Sequence, residues 1–194
     1  SAGGLGWIIF ADEGGTANAL AEALAARGDR SVLVRKGTAF RVTAGNAIEI
    51  AAQSPTDYVR AVAHASQHLG QPADRVAHLW SLDATGKPSV MSLKSAVADG
   101  ALSAVYLRQA LLAQSAETRL WLVTSRATAA GAVVTDSGLL QSAIWGVGQT
   151  LAVEDPARWG AMIDLDDEDA GTSARRLAAE ITRDEVRDTQ VSFR

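Results

Sequence analysis

Three histidines, two tyrosines, three lysines and one acid-rich loop are the groups in this 194-residue sequence whose spacing could carry chemistry. His64 and His68 stand four apart, on one face of a helix, a spacing that metals use. No glutamate follows the first histidine as in His-Glu-x-x-His, and no third ligand is evident, so the pair reads as a solvated helix face. Asp164, Asp166, Asp167, Glu168 and Asp169 have the density of a calcium loop. Counted from Asp164, however, the sixth residue is Asp169 rather than glycine and the twelfth is Arg175 rather than glutamate. Acids ahead of a helix that starts near Thr172 are accounted for by the positive end of its dipole. Proton transfer through a tyrosine needs a cation that lowers its pKa, commonly a lysine four residues on. Tyr58 is followed at that distance by Val62 and Tyr106 by Ala110, while Lys36, Lys87 and Lys94 lie at no such spacing to either. There is no Gly-x-Ser-x-Gly nucleophile turn. His78 lies in an apolar stretch and reads as a hydrogen-bonded core residue rather than a base.

The remaining place for chemistry is the turn after the first strand. A dinucleotide there needs Gly-x-Gly-x-x-Gly, which lets backbone amides reach the pyrophosphate. The turn reads Ala11-Asp12-Glu13-Gly14-Gly15-Thr16-Ala17-Asn18. Its glycines are out of register, and two carboxylates stand where a phosphate must approach. At an effective dielectric of ~20, each opposes an anion by a few kcal/mol at close range. A second glycine pair, Gly146 and Gly148, falls inside an expected helix. No catalytic, cofactor-binding or metal-binding residue emerges from these patterns, and no cofactor is expected.

The elements that would position such groups are legible from hydrophobic period. Trp7 to Ala11 and Ser31 to Arg35 are short apolar runs expected as strands buried on both faces, joined by a helix from Thr16 to Arg27 that ends at Gly28. Two short strands are expected around Ala44-Gly45-Asn46. Ser54-Pro55-Thr56-Asp57 opens a helix that runs to about Leu69. Further strands are expected at 75–82, 119–124, 159–165 and 190–193, with helices at about 92–113, 139–153 and 173–182. Strands alternating with helices over one unbroken stretch imply a single α/β domain with a doubly wound, mostly parallel sheet of Rossmann type.

Composition excludes several classes. Apolar residues make up 47% and charged residues 21%, which is incompatible with a disordered chain. The net charge of −4 argues against nucleic acid as a partner, and no apolar run approaches the ~18 residues of a membrane span. Without cysteine there is no disulfide or thiolate site, which fits a reducing compartment such as the cytoplasm. Ser1 begins the sequence with no basic-then-apolar leader after it, as expected of a piece of a longer polypeptide.

Four phrases occur in a specific order: RVAHLWSL at 75–82, RLWLVTSRA at 119–127, SAIWGVGQTLAVEDP at 142–156 and WGAMIDLD at 159–166. In these the chain resembles the N-terminal structural subdomain of ketoreductases in modular type I polyketide synthases. The resemblance covers nearly the whole chain, so residues 1–194 are expected to form one such subdomain. It implies a truncated, short-chain dehydrogenase/reductase-like Rossmann unit that has lost cofactor and active site. Such a unit braces a C-terminal half that binds NADPH and carries the catalytic Ser, Tyr and Lys or Asn. The expected partners are that catalytic half and adjacent synthase domains, among them an enoylreductase, dehydratase, methyltransferase or acyl carrier. Gln149 stands where the family usually has Arg, and Asp155 where His commonly precedes the proline. These departures are compatible with a degenerate pseudo-ketoreductase. The alternative is a free-standing Rossmann-like nucleotide-binding enzyme with an atypical phosphate loop.

Short-chain reductase units commonly pair through the two long helices on one side of the sheet. Here those helices carry Leu93, Val97, Leu102, Val105, Leu112, Leu140, Ile144 and Leu151. Either these residues form an exposed interaction surface or they face the chain's own sheet.

Overall fold

The computed structural model describes residues 4–43, 47–114, 117–130, 133–183 and 188–194. Trp7, Ile8, Ile9 and Phe10 are apolar at consecutive positions, so a strand built from them must be covered on both faces. That strand, β1 (Gly6–Phe10), lies inside an eight-stranded sheet and is buried throughout. It is flanked by β2 (Arg30–Gly37) on one side and β5 (Arg75–His78) on the other, both parallel to it. Beyond β2 come β4 (Ala47–Ala51) and the two-residue β3 (Arg41–Val42), which is antiparallel to β4. Beyond β5 come β6 (Arg119–Ser125), β7 (Trp159–Leu165) and β8 (Gln190–Ser192), all parallel. The order β3-β4-β2-β1-β5-β6-β7-β8 reverses direction at β1/β5, as in a doubly wound Rossmann sheet. The expected turn at Ala44-Gly45-Asn46 lies outside the described residues.

Side-chain alternation along each strand feeds two cores. Ile8, Phe10, Val32 and Val34 pack beneath α2 (Pro55–Leu69), α4 (Ser103–Ala113) and α6 (Ala143–Glu154) through Tyr58, Val62, Leu107 and Ile144. Trp7, Ile9, Trp121 and Ile163 face the opposite layer, α1 (Thr16–Ala25) and α7 (Ala170–Ile181), through Leu20, Leu24, Leu177 and Ile181. Of the tryptophans in the four phrases, Trp121, Trp145 and Trp159 pack between β6, β7 and α6, whereas Trp80 packs against Phe10 and Tyr58. A Cβ on Gly160 would stand 2.3 Å from the indole of Trp121, so that ring lies directly over the β7 backbone. A Cβ on Gly148 would stand 2.3 Å from the sulfur of Met162 and 3.2 Å from Trp159, so α6 touches β7 there.

Three elements depart from the expected pattern. The strand expected at 75–82 ends at His78, and Trp80–Asp83 turn into a 3₁₀ helix that carries the chain off the sheet. The helix expected at 92–113 begins earlier, as α3 (Val90–Ala96), and passes through a π-helical stretch, Val97–Leu102, before α4. The hydroxyl of Ser103 donates back to the carbonyls of Asp99 and Gly100 at 2.6 and 3.0 Å, competing with the regular ladder at that point. The helix expected at 139–153 is divided into α5 (Asp136–Gln141) and α6, with the Ser142 hydroxyl donating to the Leu139 carbonyl at the break.

Candidate functional site

An open parallel sheet offers its ligand crevice beyond the carboxyl ends of the strands, where the strand order reverses. Here that place is the end of β1, facing the ends of β2 and β5. Asp12, only 2% exposed, turns back over the start of α1. One of its carboxylate oxygens accepts from the Thr16 amide at 3.0 Å and the other from the Ala17 amide at 2.7 Å. These are the unpaired amides at the N-terminus of a helix, where a nucleotide phosphate otherwise binds. The two glycines serve the same fold-back. Gly15 holds φ at +92°, and a Cβ on Gly14 would press to 3.1 Å on the Asp12 oxygen. Glu13 behaves differently, since its side chain is exposed and its amide donates to Asp83 at 2.7 Å.

Across the crevice, Lys36 at the end of β2 reaches Asp83 at 2.8 Å and Asp99 at 3.4 Å. Burial pulls the Lys36 pKa down. The hydrogen bond to Asp83 and the charges of Asp83, Asp99 and Glu13 outweigh it, so the net shift is upward. The switch point is therefore occupied by the chain's own ions. Asp83 and Asp99 were not singled out from the sequence, because they lie 47 and 63 residues beyond Lys36 and only the sheet topology unites them. A pocket of about 270 Å³ with mixed polar and apolar walls lies beside this network, lined in part by Trp80, Ser81, Asp83, Ser92 and Asp99.

The other sequence candidates are dispersed. His78 is fully buried, its Nε2 2.6 Å from the Ser103 hydroxyl. Burial, aided by the charge of Lys36, lowers its pKa to about 3, so it is a neutral core residue. Tyr58 is buried and donates to the Ala52 carbonyl at 2.8 Å, and burial raises its pKa. Tyr106 packs edge-on against it at 5.8 Å. His64 lies against Phe40, while His68 is exposed in the last turn of α2. Lys87 and Lys94 are exposed. Among the described residues no group of His, Asp and Glu is arranged to hold a metal.

The acidic loop is divided by role. Asp169 caps α7, accepting from the Thr172 amide at 2.9 Å, which places the helix start at Ala170. Asp166 pairs with Arg126 at 2.7 Å. Asp164, fully buried in β7, accepts from the Thr124 hydroxyl, the Ala127 amide, the Thr128 amide and hydroxyl, and the Arg194 guanidinium at 2.7 Å. Burial pushes its pKa up, but the bond from Arg194 and the other donors hold it below the usual carboxylate range.

The helix face opposite the sheet is a second site of different character. Leu140 and Ile144, expected as candidates for an interaction surface, are each 1% exposed and belong to the core. Leu93, Val97, Leu102 and Leu112 point outward at 37–48% exposure. Val105, Leu112, Val147 and Leu151 line an apolar groove of about 430 Å³ between α4 and α6. Gly146 opens its floor, since a Cβ there would meet nothing within 4 Å. The helical stretch Val90–Ala113 is long and apolar enough to cross a membrane by length and composition. Its inner side is nevertheless core (Ala104, Leu107, Leu111), and it carries Lys94, Asp99 and Arg108. Asp155 braces the groove's end by pairing with Arg108 of α4 and, at 2.9 Å, with Arg158. The departure from the family pattern at this position is thus an ion pair between the two helices. The departure at Gln149 is exposed on α6.

Comparison with known proteins is consistent across sequence and fold. The family model described as beta-ketoacyl synthase-like, N-terminal, matches residues 7–184. Polyketide synthase GfsA of Streptomyces halstedii is 30% identical over 192 residues, covering 97% of this chain and 2% of its own length. The chain therefore spans only a few hundredths of the curated relatives it matches. Among solved structures, an adenylation, ketoreductase and pseudo Asub multidomain structure of a keto acid-selecting NRPS module superposes with a TM-score of 0.82. It is 23% identical, over 98% of this chain and 16% of that one. A C2-type ketoreductase from a modular polyketide synthase gives 0.72 at 22% identity, over 98% and 39% of the two chains. A free-standing short-chain dehydrogenase/reductase from Serratia marcescens gives 0.67 at 16% identity, over 98% and 95%. These structures share the fold of short-chain dehydrogenase/reductases with this chain.

Proposed function

The chain belongs to the beta-ketoacyl synthase-like, N-terminal family, and we propose that it is the noncatalytic structural half of a polyketide synthase ketoreductase. The observation that carries this reading is the crevice at β1/β5. Asp12 holds the amides of Thr16 and Ala17, and Lys36 is held between Asp83 and Asp99. A dinucleotide would have to displace both sets of contacts and approach three carboxylates. The candidate acid–base residues support no alternative chemistry, since both are buried in the core, His78 with its Nε2 beside the Ser103 hydroxyl and Tyr58 with its hydroxyl on the Ala52 carbonyl. Residues 1–194 act in this reading as one subdomain of a cytoplasmic megasynthase.

Its work is to brace a catalytic partner, the NADPH-binding half of the same ketoreductase. The apolar face of α3, α4 and α6 is the docking surface. An exposed run of large apolar residues beside a groove marks an interaction site, and this chain spans only 39% of the modular ketoreductase it superposes on. Calorimetric titration of NADPH into the chain tests the noncatalytic claim: heat no larger than dilution is expected, and saturable micromolar binding would overturn it. Co-expression with a catalytic half tests the docking claim. Leu102→Asp and Leu112→Asp are expected to abolish co-purification while leaving the circular dichroism of the chain unchanged. Undiminished co-purification would place the contact elsewhere.

A further inference from the structure

We propose that the pocket between the 3₁₀ turn at Trp80–Asp83 and α3 binds a small organic ammonium ion, whose charged head donates to Asp99 and to the hydroxyl of Ser81. The pocket has a volume of about 270 Å³ and lies beyond the end of β5. None of its lining residues belongs to β1, α1 or β2, so it is separate from the helix start that Asp12 covers. One wall is the 3₁₀ turn, with Trp80, Ser81 and Asp83. The other is one face of α3 and the π-helical stretch. There Ser92, Ser95 and Ala96 recur at helical spacing and lead to the carboxylate of Asp99.

Ser81 carries the argument. It is 3% exposed, and its Oγ has no hydrogen-bond partner among the described residues. A buried hydroxyl is costly to leave unpaired, so its place on a pocket wall calls for a partner inside the pocket. Gly100 leaves room for that oxygen, since a Cβ there would stand 2.9 Å from it. Gly100 belongs to the π-helical stretch, and such irregularities within helices are frequent at functional sites.

Charge defines the class of ligand. Asp83 and Asp99 share the one ammonium of Lys36, which Asp99 meets only at 3.4 Å with its side chain 32% exposed. Glu13 adds a third carboxylate to the field at Lys36. Carboxylates in excess of cations oppose a phosphate or carboxylate ligand and favour a second cation. A bare metal ion fits poorly, because among the described residues no group of His, Asp and Glu is arranged to hold one. The volume is also many times the roughly 10–15 Å³ that one water needs. Trp80 and Leu140, both buried, supply apolar wall. An ammonium group on a short hydrocarbon satisfies both halves of the pocket. The inference goes beyond the noncatalytic reading and does not rest on it.

The test is titration of propylammonium chloride into the isotope-labelled chain, followed by NMR at the indole N–H of Trp80 and the amides of Ser81 and Asp99. Saturable shifts are expected with a dissociation constant of about 1–10 mM, the strength open to so few ligand atoms. Propanol and ammonium chloride carry the hydrocarbon and the charge separately, and neither is expected to saturate. Asp99→Asn is expected to weaken binding about tenfold and Ser81→Ala about threefold, by loss of a charged and a neutral acceptor. Asp167→Asn, at an exposed acid outside the pocket, removes the same charge and is expected to leave the affinity unchanged. Shifts that stay linear with concentration, or that propanol or ammonium chloride reproduces, would overturn the proposal. So would an affinity undiminished in Asp99→Asn. If that variant fails to fold, an undiminished affinity in Ser81→Ala, which loses one buried atom, decides the matter in the same way. Saturable NADPH binding in the calorimeter would overturn the noncatalytic reading instead, so the two failures are distinguishable.

Discussion

The crevice at the β1/β5 switch point and the outer face of α3, α4 and α6 are the two places where this fold usually meets another molecule, and this chain treats them oppositely. In the crevice the amides of Glu13, Thr16 and Ala17 and the ammonium of Lys36 are all met by aspartates of the chain, and Asp12 is almost inaccessible. On the helix face, leucines and valines are left in water beside an open groove. Backbone amides and a lysine are costly to bury unpaired, so a crevice that holds them needs polar partners. An apolar face carries no such obligation, because the hydrophobic effect rewards whatever large surface covers it. The contrast teaches that polar groups at a crevice are met within the chain, here by three aspartates, whereas apolar side chains can be left in water without a partner of their own.

The comparison is sharpest across the thickness of a single helix. Ile144 lies on the inner side of α6 and belongs to the core. Ile144→Asp is expected to cost about 4 kcal/mol or more, because it buries an unpaired charge, and to leave the chain unfolded in far-ultraviolet circular dichroism. A folded Ile144→Asp chain would mean that α6 is held far more loosely than its packing implies.

Acid is the next largest perturbation, and it acts on the polar interior. His78 stays neutral in the fold down to about pH 3, whereas an unfolded histidine takes up a proton near 6.5. The unfolded chain therefore binds more protons across that window. The contribution from His78 is complete above about pH 6.5 and declines as pH falls toward 3. Asp164 adds a later loss. Its carboxylate is held below the ordinary range, so its contribution is present above the unfolded pKa and disappears as pH falls through the folded one. Denaturant midpoints between pH 7 and 4 should fall less steeply in His78→Gln than in the native chain. An equal slope would assign the acid sensitivity to other groups.

Lys36→Met probes the crevice directly. It leaves Asp83 and Asp99 facing each other without their shared cation, and the partial exposure of the pair moderates the cost to about 1–2 kcal/mol by chemical denaturation. A neutral result would show that the ions fill the crevice without holding it closed. The smallest effect is expected on the helix face. Leu112→Ser should change the stability of the chain alone by less than about 0.5 kcal/mol, since Leu112 is 48% exposed. A larger loss would mean that the face supports the chain's own fold rather than a partner.

Much of this architecture was legible in the order of residues. Apolar runs such as Trp7 to Phe10 and Trp159 to Leu165 admit only doubly covered strands, and Ser54-Pro55 starts α2 where expected. His78 was legible as a core residue from its apolar neighbours. Less legible were elements whose course depends on contacts with distant segments. The strand from Arg75 stops at His78 because the chain must leave the sheet there. The π-helical stretch, next to which Ser103 bonds back to two carbonyls, is a local departure that hydrophobic period does not record. At the crevice, Asp12 and Glu13 had been expected to repel a phosphate together. Only Asp12 lies over the helix start, while Glu13 contributes its amide to Asp83. On the helix face, Leu140 and Ile144 follow the same apolar period as their exposed neighbours, so the sequence did not separate inside from outside.

By itself the sequence determined the alternation of strands and helices, the likeness to polyketide synthase ketoreductases and the failure of each familiar catalytic spacing. Those properties depend on residue type and on separations of a few positions, which the chain carries locally. The tertiary structure decided that Asp12 occupies the helix start, that Lys36 joins two aspartates far along the chain, and which leucines remain in water. Those outcomes depend on which strand ends meet at the switch point and on how α6 rests on β7 through Gly148, distances that only the folded sheet defines.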